Sequence, residues 1–257
     1  MAWWRGRDPW GSIDFAAIER AKQRPARLLV TYADRRFLNA QRRCAATGLT
    51  AGGFDRALEL RRRHLPRAWR RQHASVLAAR RGAGFWLWKP KLVAMTLARA
   101  PEGVAVFYCD SGARWIGSVE PYAALLEAGD VVAFTLGPAL TDLAWTKADA
   151  RAAVGLAEAL AREPQRLAAF LLLRNSPRSR AVVAEWLALC EAGDLLTDAP
   201  GRLPEAPEFE AHRHDQSLWS LVCKARGVIA VPDPSQWGND RRLSHHPQIL
   251  DLDRWRG

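Results

Sequence analysis

Three groups of residues in this chain have types and spacing that could do chemistry. The first is Asp110-Ser111-Gly112, which follows the apolar, β-prone run 104–109. A run apolar at every position suits a central strand covered on both faces, and in open α/β sheets ligands bind beyond the carboxyl ends of such strands. A carboxylate there is placed to grip a metal, a ribose or a phosphate-bound cation, although Asp-Ser-Gly is also ordinary turn chemistry. The second group is His212-Arg213-His214-Asp215-Gln216, leading into an apolar helix over 217–226 closed by Gly227. Asp215 stands where an N-cap belongs, so capping and catalysis are both open to it. The third is Lys89-Pro90 at the start of another helix. Helix starts favour anions, so a lysine there suits a phosphate held jointly with the free N–H groups.

The elements that must position these residues read as alternating strands and helices. Residues 27–32 form the first strand, Ala33-Asp34 the turn at its end, and 35–47 a helix closed by Gly48. A first strand–turn–helix unit is the usual seat of a nucleotide, which makes Thr31, Tyr32 and Asp34 candidates for base and ribose contacts. A second strand follows at 56–60, then an arginine-rich helix from Pro66 to about 80, broken by Gly82 and Gly84. Phe85, Trp86 and Trp88 come next, either a packed hinge or a wall on which a base or sugar ring stacks. Strands are expected at 131–136, 167–173 and 228–231, the 167–173 strand ending in polar Arg174-Asn175-Ser176. Helices are expected at 121–127, from Trp145 toward Leu160 with Thr146 as N-cap, and at 178–190. Three prolines in 193–209 mark a flexible loop long enough to be an active-site flap.

With 257 residues the chain has room for one α/β domain with a full core, flanked by an N-terminal extension (1–24) and a C-terminal tail (232–257). Its 38 basic against 27 acidic residues give a net charge of +11, with only five lysines among them, at 22, 89, 91, 147 and 224. Such a field attracts nucleotide diphosphates, anionic lipid surfaces and, nonspecifically, nucleic acid. No nucleic-acid reading motif accompanies it, so no specific nucleic-acid partner is expected. Cys44, Cys109, Cys190 and Cys223 are scattered, which suggests neither a zinc site nor a disulfide framework and fits a reducing cytoplasm. No apolar run approaches a membrane span. Trp3, Trp4 and Trp10 beside Arg5 and Arg7 suit either a headgroup interface at the inner face of a membrane or a frayed terminus.

The run Gly82–Pro90, with Tyr108-Cys109-Asp110-Ser111-Gly112, Trp145-Thr146-Lys147-x-Asp149, Glu185-Trp186-Leu187 and His212–Leu221, resembles in that order a bacterial glycosyltransferase family of the GT-A fold. The resemblance implies a single-domain GT-A-like, Rossmann-like α/β fold with a mixed, mostly parallel sheet flanked by helices. It implies transfer of a sugar from a nucleotide-diphospho-sugar to a glycan or lipid-linked acceptor, as in surface polysaccharide synthesis. Donor contacts would come from Thr31, Tyr32, Asp34, Trp86, Trp88, Lys89, Asp110, Ser111 and Gly112. Asp215, with His214 and Gln216, would be the catalytic group, Asp215 as base if configuration inverts. Mn²⁺ or Mg²⁺ would sit on Asp110, completed by His245 or His246 from the C-terminal segment. Gly112 stands where GT-A enzymes usually carry the second carboxylate of Asp-x-Asp, which leaves two alternatives: lysine and arginine in place of the metal, or a nucleotide-sugar binder without turnover.

Overall fold

A computed structural model describes residues 8–238 and 246–253. Trp3, Trp4, Arg5, Arg7 and His245, named above, lie outside those residues. The strands are β1 (Arg27–Tyr32), β2 (Arg56–Leu60), β3 (Ala105–Cys109), β4 (Ala113–Trp115), β5 (Val131–Thr135), β6 (Arg166–Arg174), β7 (Ile229–Pro232) and β8 (Leu250–Leu252). Six of them form one sheet in the order β2-β1-β3-β6-β5-β7, while β4 and β8 pair separately. All neighbours in the large sheet are parallel except at β6, which runs antiparallel to both β3 and β5. This is the mixed, mostly parallel α/β architecture expected from the sequence.

Alternation along the central strands divides the core in two. Leu28, Val30, Val106 and Tyr108 face helices Trp88–Leu97, Pro177–Glu191 and Asp215–Ala225, whereas Leu29, Phe107 and Cys109 face Trp115, Tyr122 and Cys44 of helix Leu38–Thr50. Gly48 does not close that helix as expected but lies inside it. A Cβ there would stand 2.3 Å from Leu29 Cδ2, so the glycine lets helix and sheet approach.

Four further expectations are corrected. The helix from Pro66 is two short pieces, Arg67–Gln72 and Ala74–Leu77. The helix from Trp145 is likewise broken into Asp142–Trp145, Ala148–Val154 and Glu158–Ala161, and the cap of the first is Thr141, not Thr146. Because β6 runs antiparallel, its polar end at Arg174-Asn175-Ser176 lies on the edge of the sheet opposite Tyr32 and Asp110. Gln165, just before β6, is on their edge instead. Trp10 is 6% exposed, with Nε1–H donating to Thr96 Oγ1 at 3.2 Å, so it packs on the protein and is not free for a membrane surface.

The 193–209 segment is tethered rather than free. Lys147 Nζ donates to the carbonyls of Asp194, Thr197 and Ala199. The Asp149 carboxylate accepts from the N–H groups of Arg202 and Leu203, and Glu205 accepts from Ala148 N–H. Lys147 and Asp149 thus serve as anchors for this loop.

Candidate active site

The carboxyl ends of β1, β3, β5 and β7 and the amino end of β6 open into a cleft with two adjoining lobes of about 580 and 570 Å³. Lobes of this size suit a nucleotide-sized ligand. Trp86, Asp110, Leu167, Ala169, Gln216 and Leu252 line both lobes. The first lobe also has Arg81, Lys89, Arg213, His214, Asp215 and Asp233; the second has Tyr32, Asp34, Arg36, Arg80, Trp88 and Ser111.

At the junction stands a chain of charges. Lys89 Nζ lies 3.3 Å from Asp110 Oδ1 and 3.0 Å from Asp215 Oδ2, and donates to the Ala168 carbonyl at 3.0 Å. The register between β5 and β6 shifts in this stretch, between the pairs Val132–Leu172 and Phe134–Leu167. Such irregularities re-aim backbone groups, and here the Ala168 carbonyl serves the ammonium. Tyr108 O–H donates to Asp110 Oδ1 at 2.7 Å.

Lys89 is 2% exposed and Asp215 3%, while the side chain of Asp110 keeps 33% of its surface open. Burial alone would lower the Lys89 pKa, but the charges of Asp110 and Asp215 outweigh it and hold it above the usual lysine value. Burial pushes Asp215 up to about 6 against the pull of Lys89, with Asp110 adding like-charge repulsion. Two carboxylates share one ammonium, and burial makes the enclosed Asp215 easier to protonate than an ordinary aspartate.

Asp215 is not an N-cap. It is the first residue of its helix, the cap position being His214, whose side chain makes no capping bond. The backbone carbonyl of Asp215 accepts from Trp186 Nε1–H at 2.9 Å, which gives the Glu185-Trp186-Leu187 segment its role: it holds the helix that carries the acid. His214 adopts φ +56° and packs against Phe85 and Trp86, with Nδ1 2.9 Å from the Leu196 carbonyl. Burial lowers its pKa, so it presents a neutral imidazole.

Residues 82–86 all have positive φ, forming a left-handed turn. For Ala83, Phe85 and Trp86 this conformation costs about 1–2 kcal/mol each, and strain of this kind clusters at ligand sites. The turn sets Trp86 on the cleft wall, and Trp88 stacks on Tyr32 with centroids 3.7 Å apart.

Most of the residues expected from the sequence therefore meet at this cleft: Tyr32, Asp34, Trp86, Trp88, Lys89, Asp110, Ser111, Gly112, His214, Asp215 and Gln216 all line it. Two do not. Thr31 is fully buried and lines neither lobe, because its side chain points to the opposite face of β1 from that of Tyr32. His246 packs instead on Tyr122, with ring centroids 6.0 Å apart. Lys89 is at a helix start, as expected, but its ammonium is engaged by two carboxylates. Arg36, Arg80, Arg81 and Gln165 had no sequence motif to mark them, and Arg213 stood in the His212–Gln216 group without a role of its own.

Among the described residues, which leave out His245, those around Asp110 do not fit a Mn²⁺ or Mg²⁺ ion centred on it. Among the described residues no three His, Cys, Asp or Glu side chains gather as a metal site. The two carboxylates that could bridge an ion already flank a fixed ammonium, which would repel it.

No known family profile matches the chain, and no curated protein is similar to it in sequence. Several solved glycosyltransferases are similar in chain course. Mouse xyloside xylosyltransferase 1 aligns with a TM-score of 0.47 at 9% identity, over 81% of this chain and 84% of that one. The bifunctional glycosyltransferase WbbM aligns at 0.47 and 10%, over 81% of this chain but only 39% of its own. The galactosyltransferase LgtC, solved with donor and acceptor sugar analogues, aligns at 0.44 and 15%, over 80% and 74%. At this level of likeness no residue roles carry across, and the function is read from the side chains.

Proposed function

We propose that the protein transfers a glycosyl group from a nucleotide-diphospho-sugar to a hydroxyl of a glycan or lipid-linked acceptor. The observation that carries this reading is the Asp110–Lys89–Asp215 charge chain at the junction of the two cleft lobes. The lobe with Tyr32, Asp34, Arg36 and Arg80 receives the nucleotide, and the lobe with Arg81, Arg213, Asp215 and Gln216 receives the sugar and acceptor.

In the transfer, the bond from the anomeric carbon to the diphosphate breaks and one to the acceptor oxygen forms, while the acceptor proton passes to Asp215. A carboxylate with its pKa near 6 is ionised at neutral pH yet basic enough to take a proton, and such general-base assistance is worth about 10²–10⁴ in rate. Attack assisted by a base on the face opposite the leaving group inverts the anomeric configuration. Lys89 keeps Asp215 oriented and ionised. The negative charge that develops on the departing diphosphate is met by the arginines that line the cleft, electrostatic stabilisation that needs no rearrangement during the reaction.

The near-complete burial of Asp215 favours a second reading, a nucleotide-sugar binder without turnover. Isothermal calorimetry with a panel of nucleotide sugars, followed by assay of donor hydrolysis, separates the two. Binding with slow hydrolysis supports the enzyme, binding without hydrolysis or transfer supports the binder, and no binding of any nucleotide sugar removes both.

A further inference from the structure

Gln216 lines both lobes of the cleft, and the direction its amide faces is dictated from beneath. Asp142 is fully buried and paired with Lys224, Nζ to Oδ2 at 2.6 Å. An ionised carboxylate can only accept hydrogen bonds. The Gln165 atom 3.0 Å from Asp142 Oδ1 must therefore be the donor Nε2, and the same atom lies 3.2 Å from the Trp145 carbonyl, a second group that can only accept. Gln165 Oε1 is thereby turned toward Gln216, where it too can only accept. The Gln216 atom 3.0 Å away must be Nε2. What Gln216 has left is its carbonyl oxygen, which no donor reaches among the described residues, and the second N–H of Nε2.

We propose that Gln165 is a positioning residue that fixes Gln216 as a hydrogen-bond acceptor for a ligand hydroxyl in the sugar lobe. That oxygen rejects phosphate oxygens and selects groups that carry a proton, so through it Gln216 reads a sugar hydroxyl and not the diphosphate. An unlocked amide would offer either end equally; the Asp142–Lys224 pair removes that choice through two relayed hydrogen bonds. That the hydroxyl belongs to a nucleotide sugar rests on the reading above, whereas the orientation of Gln216 does not.

The test follows the side-chain amide resonances of Gln216 by ¹⁵N-correlated NMR, with UDP-glucose, GDP-mannose and the corresponding methyl glycosides as probes. In the parent the two amide protons should be well separated, one being hydrogen-bonded, and in Gln165→Met they should move together toward solvent values. Gln216→Leu, at a half-buried position, serves if Gln165→Met fails to fold. It should weaken binding of the recognised nucleotide sugar about tenfold, the order of one hydrogen bond, and leave the matching nucleoside diphosphate unchanged. A deoxyfluoro sugar that cannot donate at the recognised carbon should cost the parent a similar factor and cost Gln216→Leu nothing. Equal losses for nucleotide sugar and nucleoside diphosphate, or Gln216 resonances that neither Gln165→Met nor any sugar perturbs, would overturn the proposal. Methyl glycosides that shift these resonances where no nucleotide sugar binds would keep it and remove the donor reading instead.

Discussion

Two buried lysine–aspartate clusters each take a member from helix Asp215–Ala225, and they are built to opposite specifications. At Asp142–Lys224 every charge is answered. Asp142 accepts from Thr146, Gln165, Ser220 and Lys224, and Lys224 also donates to the carbonyls of Leu160 and Glu163. Its side chains are wholly enclosed. At Asp110–Lys89–Asp215 one ammonium serves two carboxylates, leaving a net charge of −1, and Asp110 is open to the cleft. The lysines respond differently: burial lowers the pKa of Lys224 despite Asp142, whereas two carboxylates raise that of Lys89. A satisfied ion pair fixes geometry, while an unbalanced one keeps a proton acceptor poised.

Removing one carboxylate from the unbalanced cluster should have the largest effect, and it should fall on rate. Asp215→Asn takes that cluster from −1 to neutral and leaves Lys89 paired with Asp110. Glycosyl transfer should fall by roughly 10²–10⁴, the span of general-base catalysis, with the melting temperature at pH 8 unchanged or higher. Parental turnover on the true acceptor would end the catalytic role of Asp215.

The matching break in the balanced cluster should act on stability. Lys224→Met leaves Asp142 buried without a counter-charge, a loss of about 3–5 kcal/mol, measured by denaturant unfolding. A change below about 1 kcal/mol would mean that the pair contributes little to stability and that the two clusters differ less than their geometry indicates. A smaller effect is expected from Lys147→Met, which frees three loop carbonyls. Proteolysis within 193–209 should accelerate while the core melting temperature falls by only a few degrees, and an unchanged cleavage rate would show that Asp149 and Glu205 suffice to hold the loop.

Much of this comparison is absent from the linear sequence, for identifiable reasons. The end of β1 was legible because a strand, tight turn and helix in succession imply parallel pairing, and that of β3 because a run apolar at every position suits a central strand. The apolar run of β6 carries no mark of direction, so neither the edge on which its polar terminus lies nor the place of Gln165 at the cleft could be read from it. Lys89 could be placed at a helix start, but nothing local showed that Asp215 would reach it. Capping was open to Asp215 beside catalysis because the sequence starts its apolar helix two residues later than the structure does. Gly48 read as a stop because sequence does not reveal a helix pressed against Leu29. One signal was available: in a chain whose cations are nearly all arginine, three of the five lysines, Lys89, Lys147 and Lys224, are buried. A slender ammonium fits enclosed sites that a guanidinium fork does not, so lysine in this composition marks an interior charge.

The smallest expected effect is the most specific to the unbalanced cluster, a shift in pH dependence. Asp215 has a folded pKa near 6, above the ordinary carboxylate value of 3.8, so the folded state favours its protonated form. The associated stability is fully present below 3.8 and is lost as pH rises through about 6, whereas base catalysis appears over that same rise. The acid limb of kcat/KM should therefore fall near pH 6. Asp110→Asn removes the like charge that raises Asp215, leaving burial opposed by Lys89, so the limb should move to lower pH. In Lys224→Met, where the change lies in the balanced cluster, any active folded fraction should keep the limb of the parent. A limb that stays in place in Asp110→Asn would mean that Asp110 and Asp215 do not share Lys89 during catalysis, and the contrast between the two clusters would then be structural only.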